Sequence, residues 1–237
     1  MKVVILTCDK YAWIVPICLY FYRKYWPDNP YETDIITEHD YIKGQVFYTG
    51  GKPWAGGILA YLEASKENKF MFILEDYIIR EKIDTGRVKE AEALCEGNIG
   101  YVRLNNAPEK YFRRHSVDSD VKGYREYPLF KRFAMTTQVT IWQRDFLLDA
   151  LRADESAWQT EHNGSKRLAK LAHKWKALWP ERNIVNYQTG GLMRKGALRP
   201  EVLKWMKPEL LADGTEGAKM FYALIQGKIL SMRNKEA

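Results

Sequence analysis

The sequence predicts an α/β protein, with a mainly parallel sheet between flanking helices and a C-terminal helical extension. Strand-like and helix-like patterns alternate over the first hundred residues. The run 70–74 is apolar at every position, which is typical of a strand buried on both faces of a sheet. The run stops at Glu75 and Asp76, and parallel sheets bind their ligands at the carboxyl ends of their strands.

The predicted elements of the first half follow in order. Strands are expected at 2–7, 34–37, 70–74 and 101–104, and helices at about 11–26, 58–65 and 85–96. Pro27 and Gly97 close the first and third helices, and the segment 83–85 offers an N-cap for the third. The glycine-rich segment 50–57 is predicted to be a loop.

The second half is predicted to be less regular. The polar, aromatic segment 105–131 is expected to be irregular, followed by a strand at 137–142, a short helix at 144–151, a loop at 155–164 and an amphipathic helix at 165–179. We therefore divide the chain into a ligand-binding domain at 1–200 and a helical extension at 201–237 that packs on the same domain.

Composition bounds the protein class. Hydrophobic residues make up 46% and charged residues 28% of the 237 residues, which is typical of a globular chain. Uninterrupted apolar runs are too short to span a bilayer, and the segment 13–20 lacks the flanks of a signal peptide. The three cysteines have no metal-ligand or disulfide spacing, so we expect reduced thiols and a cytoplasmic protein.

The charge indicates a polyanionic partner. A net charge of +7 favours nucleic acid, an anionic membrane surface or nucleotide phosphates. The 8 Trp and 15 Tyr residues suit sugar rings and unstacked bases alike, so the aromatic content leaves both open.

Glu75 and Asp76 are the first candidate site. Adjacent carboxylates repel each other and are costly to bury, so a positive group is expected beside them. A divalent cation that carries a diphosphate would serve. The alternative is a strand end followed by a solvated acidic turn.

Four further residues are candidates, two at the end of the first strand and two in the loop 50–57. Thr7 and Asp9 end the first strand, where a nucleotide base or ribose is held in α/β sheets. Neither a glycine-rich dinucleotide fingerprint nor a Walker pattern is present. In the loop 50–57, Lys52 could meet a phosphate and Trp54 could stack on a ring, although a plain turn is the alternative.

Glu161 is the candidate general base. It follows Trp158, and a carboxylate near an aromatic ring can act in proton transfer. The alternatives are a cap for the helix expected at 165 or a solvated side chain, and His162 is open to a structural role as well. Lys166, Lys170 and Lys174 are spaced four apart, with Arg167 beside them; such a stripe is either a solvated face or a contact to a polyanionic acceptor.

Four segments together resemble a family of small bacterial and phage glycosyltransferases with a GT-A-type, Rossmann-like fold. The segments are 74–77 with 82–85, 137–148, 155–161 and 164–167, and their order and spacing cover roughly residues 1–200. The resemblance implies that domain 1–200 binds a nucleotide-sugar donor, such as UDP-glucose, at the carboxyl edge of the sheet.

The resemblance also implies roles for individual residues. The donor-binding residues would be Thr7, Asp9, Lys52, Trp54, Glu75, Asp76 and Lys195, with Asp76 as the ligand of Mg²⁺ or Mn²⁺. Glu161 would be the catalytic base of an inverting enzyme, and the acceptor would contact Trp158, His162, Lys166 and Arg167. The usual metal motif ends in a second acid and Tyr77 stands there instead, so Lys52, Arg144 or Lys195 are alternative groups for stabilising the leaving diphosphate.

The acceptor and the oligomeric state stay open at the sequence level. One version transfers a hexose to a 5-hydroxymethylpyrimidine in phage-type DNA, which the positive charge favours. A second version acts on a surface-polysaccharide or lipopolysaccharide intermediate. A third hypothesis is a non-catalytic nucleic-acid-binding protein on the same scaffold.

Overall fold

The computed structural model describes residues 1–39, 45–107, 109–194 and 196–233. Within them the strands are β1 (Lys2–Leu6), β2 (Thr33–Thr37), β3 (Val46–Tyr48), β4 (Lys69–Leu74), β5 (Ile99–Arg103), β6 (Val117–Asp118), β7 (Tyr124–Glu126), β8 (Thr140–Gln143), β9 (Lys176–Pro180), β10 (Met193–Arg194) and β11 (Ala197–Leu198). The helices are α1 (Val15–Tyr25), α2 (Trp54–Ala64), α3 (Thr85–Leu94), α4 (Glu109–His115), α5 (Arg144–Ala150), α6 (Ala157–Lys170), α7 (Pro200–Asp213) and α8 (Glu216–Arg233). A short 3-10 helix, Asp9–Ile14, precedes α1.

One mixed sheet has the strand order β3-β2-β1-β4-β8-β5-β9-β7-β6. Strands β1 to β6 and β9 run in one direction, whereas β7 and β8 run against them. The predicted mainly parallel sheet is therefore confirmed. The antiparallel β8 lies between β4 and β5, so the segment before Thr140 returns to the edge where β4 ends.

Strand β4 is central, as its apolar run predicts. Phe70 and Phe72 enter the core cluster that α2, α5 and α6 cover, and Met71 and Ile73 enter the cluster on the other face with α1 and α3. The register pairs Leu6 of β1 with Leu74 of β4, so the residues that follow both strands lie side by side at the carboxyl edge. The fold thereby brings the first and fourth strand ends to one site.

The C-terminal helices pack on α1. A third core cluster joins Ile17 and Phe21 of α1 to Met206 of α7 and to Phe221 and Ile225 of α8. Among the described residues, no helix is both long and apolar enough to cross a bilayer.

The predicted loop at 155–164 and the predicted helix at 165–179 are wrong. Helix α6 begins at Ala157 and ends at Lys170, and strand β9 follows from Lys176. Ser156 caps the helix through a capping box with Gln159, a Ser-x-x-Gln signal that is readable in the sequence. The apolar residues of β9 continue a helical spacing by coincidence, which is why the two elements merge in the pattern.

Other predicted boundaries also move. Helix α2 begins at Trp54, so the segment 54–57 is helical and not a loop. The segment 105–131 contains α4, β6 and β7 instead of being wholly irregular. Asp84 caps α3 by accepting from the backbone N–H groups of Gly86 and Arg87, in agreement with the predicted N-cap at 83–85.

Candidate active site

A cleft of about 700 Å³ opens at the carboxyl edge of the sheet. This volume is within the range of small-ligand sites. Six of the residues expected from the sequence line the cleft: Thr7, Trp54, Glu75, Asp76, Trp158 and Glu161. The lining also includes residues without a sequence-based assignment, among them Tyr11, Gly190, Arg194 and Arg199.

The adjacent acids have different surroundings. Glu75 is buried and Asp76 is half-buried. Burial, and then the charge of Asp76, hold the pKa of the Glu75 carboxyl well above its usual range. Burial also raises the pKa of Asp76 to about 6, although the Met193 N–H and the charge of Arg199 oppose the shift. Both carboxylates would therefore gain stability from a cation placed in the cleft.

A glycine loop holds Asp76. The Leu192 N–H donates to the Asp76 carbonyl oxygen at 2.7 Å, and the Met193 N–H donates to Oδ2 at 3.4 Å. Gly191 has a φ of +71°, and a Cβ at this position would lie 2.0 Å from the Asp76 Oδ2. Only glycine fits this close approach. The Gly190-Gly191 pair was the available sequence signal, and our sequence analysis did not use it.

Two arginines of the cleft lining were missed by the sequence analysis. Arg199 donates to the Thr189 carbonyl at 2.7 Å and is 14% exposed, so its guanidinium is held in place. Arg194 is exposed, and no carboxylate of the described chain lies within ion-pair distance of it. Lys195, which the sequence places among the donor-binding residues, lies outside the described residues.

The other cations proposed for the leaving group have different positions. Lys52 lines a side chamber of about 70 Å³ that shares Thr7 and Trp54 with the cleft. Arg144 is not available, because its guanidinium donates to the carbonyl oxygens of Leu62, Ser65 and Glu67. Its role in the structure is to join α5 to the end of α2.

Asp9 lies beside the cleft but is absent from its lining. Its carboxylate accepts from the His39 backbone N–H at 3.1 Å and is 2.6 Å from His39 Nδ1. Its own N–H donates to Glu38 Oε2 at 2.9 Å. These bonds fasten the segment after β1 to the segment after β2.

Glu161 lies on α6 and faces the cleft. Its Oε1 accepts from both the backbone N–H and the hydroxyl of Thr137, at 2.7 and 2.8 Å. Within the described residues, Oε2 accepts no hydrogen bond. Ser165 lies inside α6, so Glu161 does not cap a helix there. The structure thus leaves one carboxylate oxygen available to a ligand.

Tyr77, which stands where the resemblance expects a second acid, lies between the Asp76 and Glu161 sides of the cleft. It is buried, and its ring stacks on Tyr187 with centroids 4.6 Å apart. Gln138 donates to the Tyr77 hydroxyl at 2.7 Å and accepts from the Tyr187 hydroxyl at 2.8 Å. Gln138 follows Thr137, the residue that holds Glu161. Tyr77 therefore follows Asp76 in the chain and contacts Gln138, which is next to the residue that holds Glu161.

The residues expected to contact an acceptor are not all at the cleft. Trp158 lines it and is 82% exposed. His162 and Lys166 are exposed on α6 and are not in the lining. Arg167 forms an ion pair with Glu155 at 2.5 Å, so its charge is already compensated. That ion pair also explains a lowered pKa of the Glu155 carboxyl.

The predicted lysine stripe is also incomplete. Lys174 lies beyond the end of α6, and it pairs with Asp149 at 2.7 Å. Only Lys166 and Lys170 stay as exposed cations of that stripe on the helix.

The carboxylates fit a divalent cation only as part of a shared site. Among the described residues, no three His, Cys, Asp or Glu side chains are grouped as a metal-binding cluster. Mg²⁺ commonly uses one or two carboxylates together with substrate phosphates. Asp76 lies half-buried at the cleft, and burial raises the pKa of its carboxyl to about 6. It therefore fits a cation that a substrate phosphate also binds, and it does not fit a cation held by protein groups alone.

Comparison with known proteins identifies the fold. No protein-family model and no curated protein matches the sequence. Among solved structures, CMP:2-keto-3-deoxy-manno-octonic acid synthetase complexed with CTP has 11% identity and a TM-score of 0.54, over 90% of this chain and 98% of that one. Residues 1–349 of S. aureus TarS in complex with UDP have 13% identity and a TM-score of 0.51, over 92% and 68% of the two chains.

The chain therefore has the GT-A-type, Rossmann-like fold that the sequence predicts, shared by glycosyltransferases and nucleotidyltransferases. At these identities the likeness concerns the fold alone. The galactosyltransferase LgtC is a more distant neighbour, with a TM-score of 0.42 and 11% identity over 76% of this chain and 73% of that one.

Proposed function

We propose that this protein is a nucleotide-sugar-dependent, inverting glycosyltransferase that moves a hexose to a hydroxyl group. One observation carries the proposal: Asp76 and Glu161 line the same cleft at the carboxyl edge of a GT-A-type sheet. A carboxylate with cations beside it suits a donor diphosphate, and a second carboxylate with an available oxygen suits an acceptor hydroxyl. The donor we favour is a UDP-hexose such as UDP-glucose.

The donor would lie along the strand ends. We assign the nucleoside to the end of the cleft beside Thr7 and Trp54, next to the side chamber that Lys52 lines, with Asp9 shaping that region through its bonds to the β2 end. The diphosphate would meet Asp76 on one side. Mg²⁺ or Mn²⁺ at Asp76, when bound, would neutralise charge on the departing nucleoside diphosphate.

The chain also offers cations for the diphosphate. Arg194 is an exposed cation of the cleft lining with no carboxylate of the described chain within 4.0 Å, and Arg199, which is 3.6 Å from Glu201, is held beside the Asp76 loop. Glu75 would gain from the same cations, because burial and the charge of Asp76 hold the pKa of its carboxyl well above its usual range. Lys195 stays a proposed phosphate contact.

Glu161 would carry the proton transfer. Because Thr137 occupies Oε1, we assign the reaction to Oε2. Oε2 would accept the proton of the acceptor hydroxyl while that oxygen forms a bond to the anomeric carbon. The bond from the anomeric carbon to the diphosphate oxygen would break at the same time, and the electron pair would leave with the nucleoside diphosphate. The anomeric configuration would invert.

For the acceptor, the structure favours a glycan over DNA. Arg167 and Lys174 are each paired with a carboxylate, which leaves half of the basic stripe for contact with a polyanionic acceptor. Trp158 presents an open ring at the cleft, and aromatic faces suit sugar rings. We therefore propose a surface-polysaccharide or lipopolysaccharide intermediate, made in the cytoplasm, where the three free cysteines would stay reduced.

The test is a mass-spectrometric screen of donors against acceptors. UDP-glucose and related donors would be incubated with glycan intermediates, hydroxymethylpyrimidine DNA and ordinary DNA. One added hexose mass on a glycan supports the proposal. The same added mass on modified DNA would show that DNA is the acceptor. Glu161→Gln should abolish the product, whereas His162→Gln, an exposed neighbour outside the cleft lining, should not.

The wild type, Glu161→Gln and a further variant, Asp76→Asn, test the non-catalytic alternative. A nucleic-acid-binding protein would bind DNA with a steep salt dependence, would not consume nucleotide sugars, and would be unaffected by Asp76→Asn or Glu161→Gln. That outcome would contradict the proposed transfer.

A further inference from the structure

A short loop on the α6 side of the sheet presents two phenyl rings to solvent. Phe130 is 64% exposed and Phe133 is 37% exposed. Lys131 and Arg132 lie between them in the sequence. Most large apolar side chains of the described residues are buried, so two exposed rings around two cations form an unusual patch.

Two buried tyrosines hold the loop in place by hydrogen bonds to its backbone. The buried Tyr127 donates its hydroxyl proton to the Arg132 carbonyl at 2.7 Å, and Tyr101 donates to the Ala134 carbonyl at 2.6 Å. Phe133 has a φ of +65°, the one positive value of a non-glycine residue in the described chain. Bulky residues avoid this region, so the surrounding contacts impose it. The exposure of the rings is thus a feature of the folded structure.

Helix α4 extends the patch with more positive charge. Tyr111 packs edge-to-face on Phe133, with centroids 5.4 Å apart. Four cations accompany these rings: Lys131 and Arg132 in the loop, and the exposed Lys110 and Arg114 on α4, the helix that carries Tyr111. None of the four has a carboxylate of the described chain within 4.0 Å. We call Tyr111, Phe130, Phe133 and these four cations the aromatic–basic platform.

We propose that the aromatic–basic platform binds an anionic membrane surface. Phenyl rings can enter the boundary between headgroups and acyl chains while the neighbouring cations meet lipid phosphates. Stacking on nucleic-acid bases fits less well, because each ring already has the loop's own cation over it. Lys131 lies 5.2 Å from the Phe130 centroid, and Arg132 lies 4.7 Å from that of Phe133.

The chain leads from the platform to the cleft within four residues, from Phe133 to Thr137. Met135 donates its N–H to Ser165 of α6 at 3.1 Å, and Thr137 holds Glu161 of the same helix. A membrane contact at Phe133 would therefore keep the cleft close to an acceptor presented at the membrane. This last step rests on the proposed function, whereas the membrane contact itself does not.

Vesicle sedimentation tests the membrane contact without any nucleotide sugar. We expect binding to vesicles of phosphatidylcholine with phosphatidylglycerol, and at least about tenfold weaker binding to phosphatidylcholine alone. Lys131→Gln with Arg132→Gln should raise the Kd for the mixed vesicles by about 25-fold, at roughly fivefold per charge. Phe130→Ser with Phe133→Asn should also abolish sedimentation, and Asn tolerates the φ of position 133, so this protein should fold.

A matched control is available on the C-terminal helices. Leu211 and Met220 are each 59% exposed, so Leu211→Ser with Met220→Ser removes comparable apolar surface elsewhere and should leave binding unchanged. Equal binding by the wild type and both platform variants would overturn the proposal. Tighter binding to a single-stranded oligonucleotide than to vesicles at the same salt, lost in the same variants, would also overturn it and assign the platform to nucleic acid. Failure of these tests would leave the transfer reaction unaffected.

Discussion

Burial at the edge of the cleft changes the ionisation of Asp76. Its pKa of about 6, from an ordinary 3.8, results mainly from burial at the cleft. A carboxyl whose pKa is raised in the folded state stabilises the fold at low pH and loses that stabilisation as the pH rises through the folded value. The ionised Asp76 carboxylate should therefore lower the free energy of unfolding at neutral pH, as expected of a residue whose role is to bind a ligand.

Asp76→Asn should be more stable than the wild type at pH 7. Below about pH 4 the wild-type carboxyl is protonated in both states, and the two proteins should be alike. Between pH 4 and pH 6 the folded wild type loses up to about 3 kcal/mol, at about 1.4 kcal/mol per pKa unit. Urea unfolding at pH 4 and pH 7 measures the difference. A variant less stable than the wild type at pH 7 would refute this account of Asp76.

Thr137 is a positioning residue in our account. Thr137→Val removes one of the two donors to Glu161 Oε1 and keeps the side-chain shape. We expect kcat to fall by about tenfold, the cost of one hydrogen bond to a charged group, with the donor KM unchanged. Steady-state kinetics, which gives kcat and the donor KM separately, checks this prediction.

Thr160→Val is the matched control for Thr137→Val. The Thr160 hydroxyl is buried on α6 without a partner in the described chain. Its removal should leave kcat unchanged and add about 1 kcal/mol of stability. Equal effects of the two substitutions on kcat would show that Thr137 does not act through Glu161.

At the scale of elements, the loop 190–193 places Asp76. Both carboxylates were predictable from the sequence, because an apolar run that ends in acids is a local signal. The loop and Arg199 were not predictable, because they reach the site through a contact more than a hundred residues away along the chain. Local patterns contain no information on that contact.

Gly191→Ala should abolish donor binding while the protein stays folded. The added Cβ would collide with the Asp76 carboxylate, 2.0 Å from Oδ2, so the carboxylate or the loop must move. Gly196→Ala is the control, since Gly196 has a similar φ of +83° but open space around its Cβ position. Calorimetric titration with UDP and Mg²⁺ measures both. Wild-type affinity in Gly191→Ala would contradict the role of the loop.

Helix α6 shows which errors were avoidable. The capping box at Ser156 marks the helix start and was readable from sequence. The change to strand β9 was not, because Trp175 and Trp179 keep a helical spacing, and only pairing with β5 and β7 makes the segment a strand. Glu161 was a candidate general base from the sequence, a role that the family resemblance also implies, whereas its hydrogen bonds with Thr137 required the structure.

At the scale of the whole molecule, the sheet order assembles the cleft. The strands that carry Thr7 and Asp76 are neighbours, and the antiparallel β8 brings Thr137 beside them. The alternating pattern predicted the fold class, because every strand had to be covered by helices. The strand order and the reversal of β8 are non-local pairings and were not predictable from that pattern.

Donor binding should stabilise the whole molecule. At a UDP concentration of 100 times Kd, the free energy of unfolding should rise by about 2.7 kcal/mol, which corresponds to roughly 5–10 °C in Tm. If Asp76 shares a divalent cation with the diphosphate, EDTA should remove most of this shift in the wild type. In Asp76→Asn the shift should be small with or without Mg²⁺. If EDTA leaves the Tm shift of the wild type unchanged, no divalent cation takes part, and the diphosphate would be bound by Arg194 and Arg199 instead.

The central claim is sugar transfer with Glu161 as the base, and product mass tests it most directly. We predict that the wild type with a UDP-hexose and a glycan acceptor adds one hexose mass. Glu161→Gln should lower kcat by at least ~100-fold, whereas His162→Gln should keep the wild-type rate. Full turnover by Glu161→Gln would contradict the assignment of the base. Release of pyrophosphate from CTP and a sugar acid, without hexose transfer from any donor, would contradict the reaction itself.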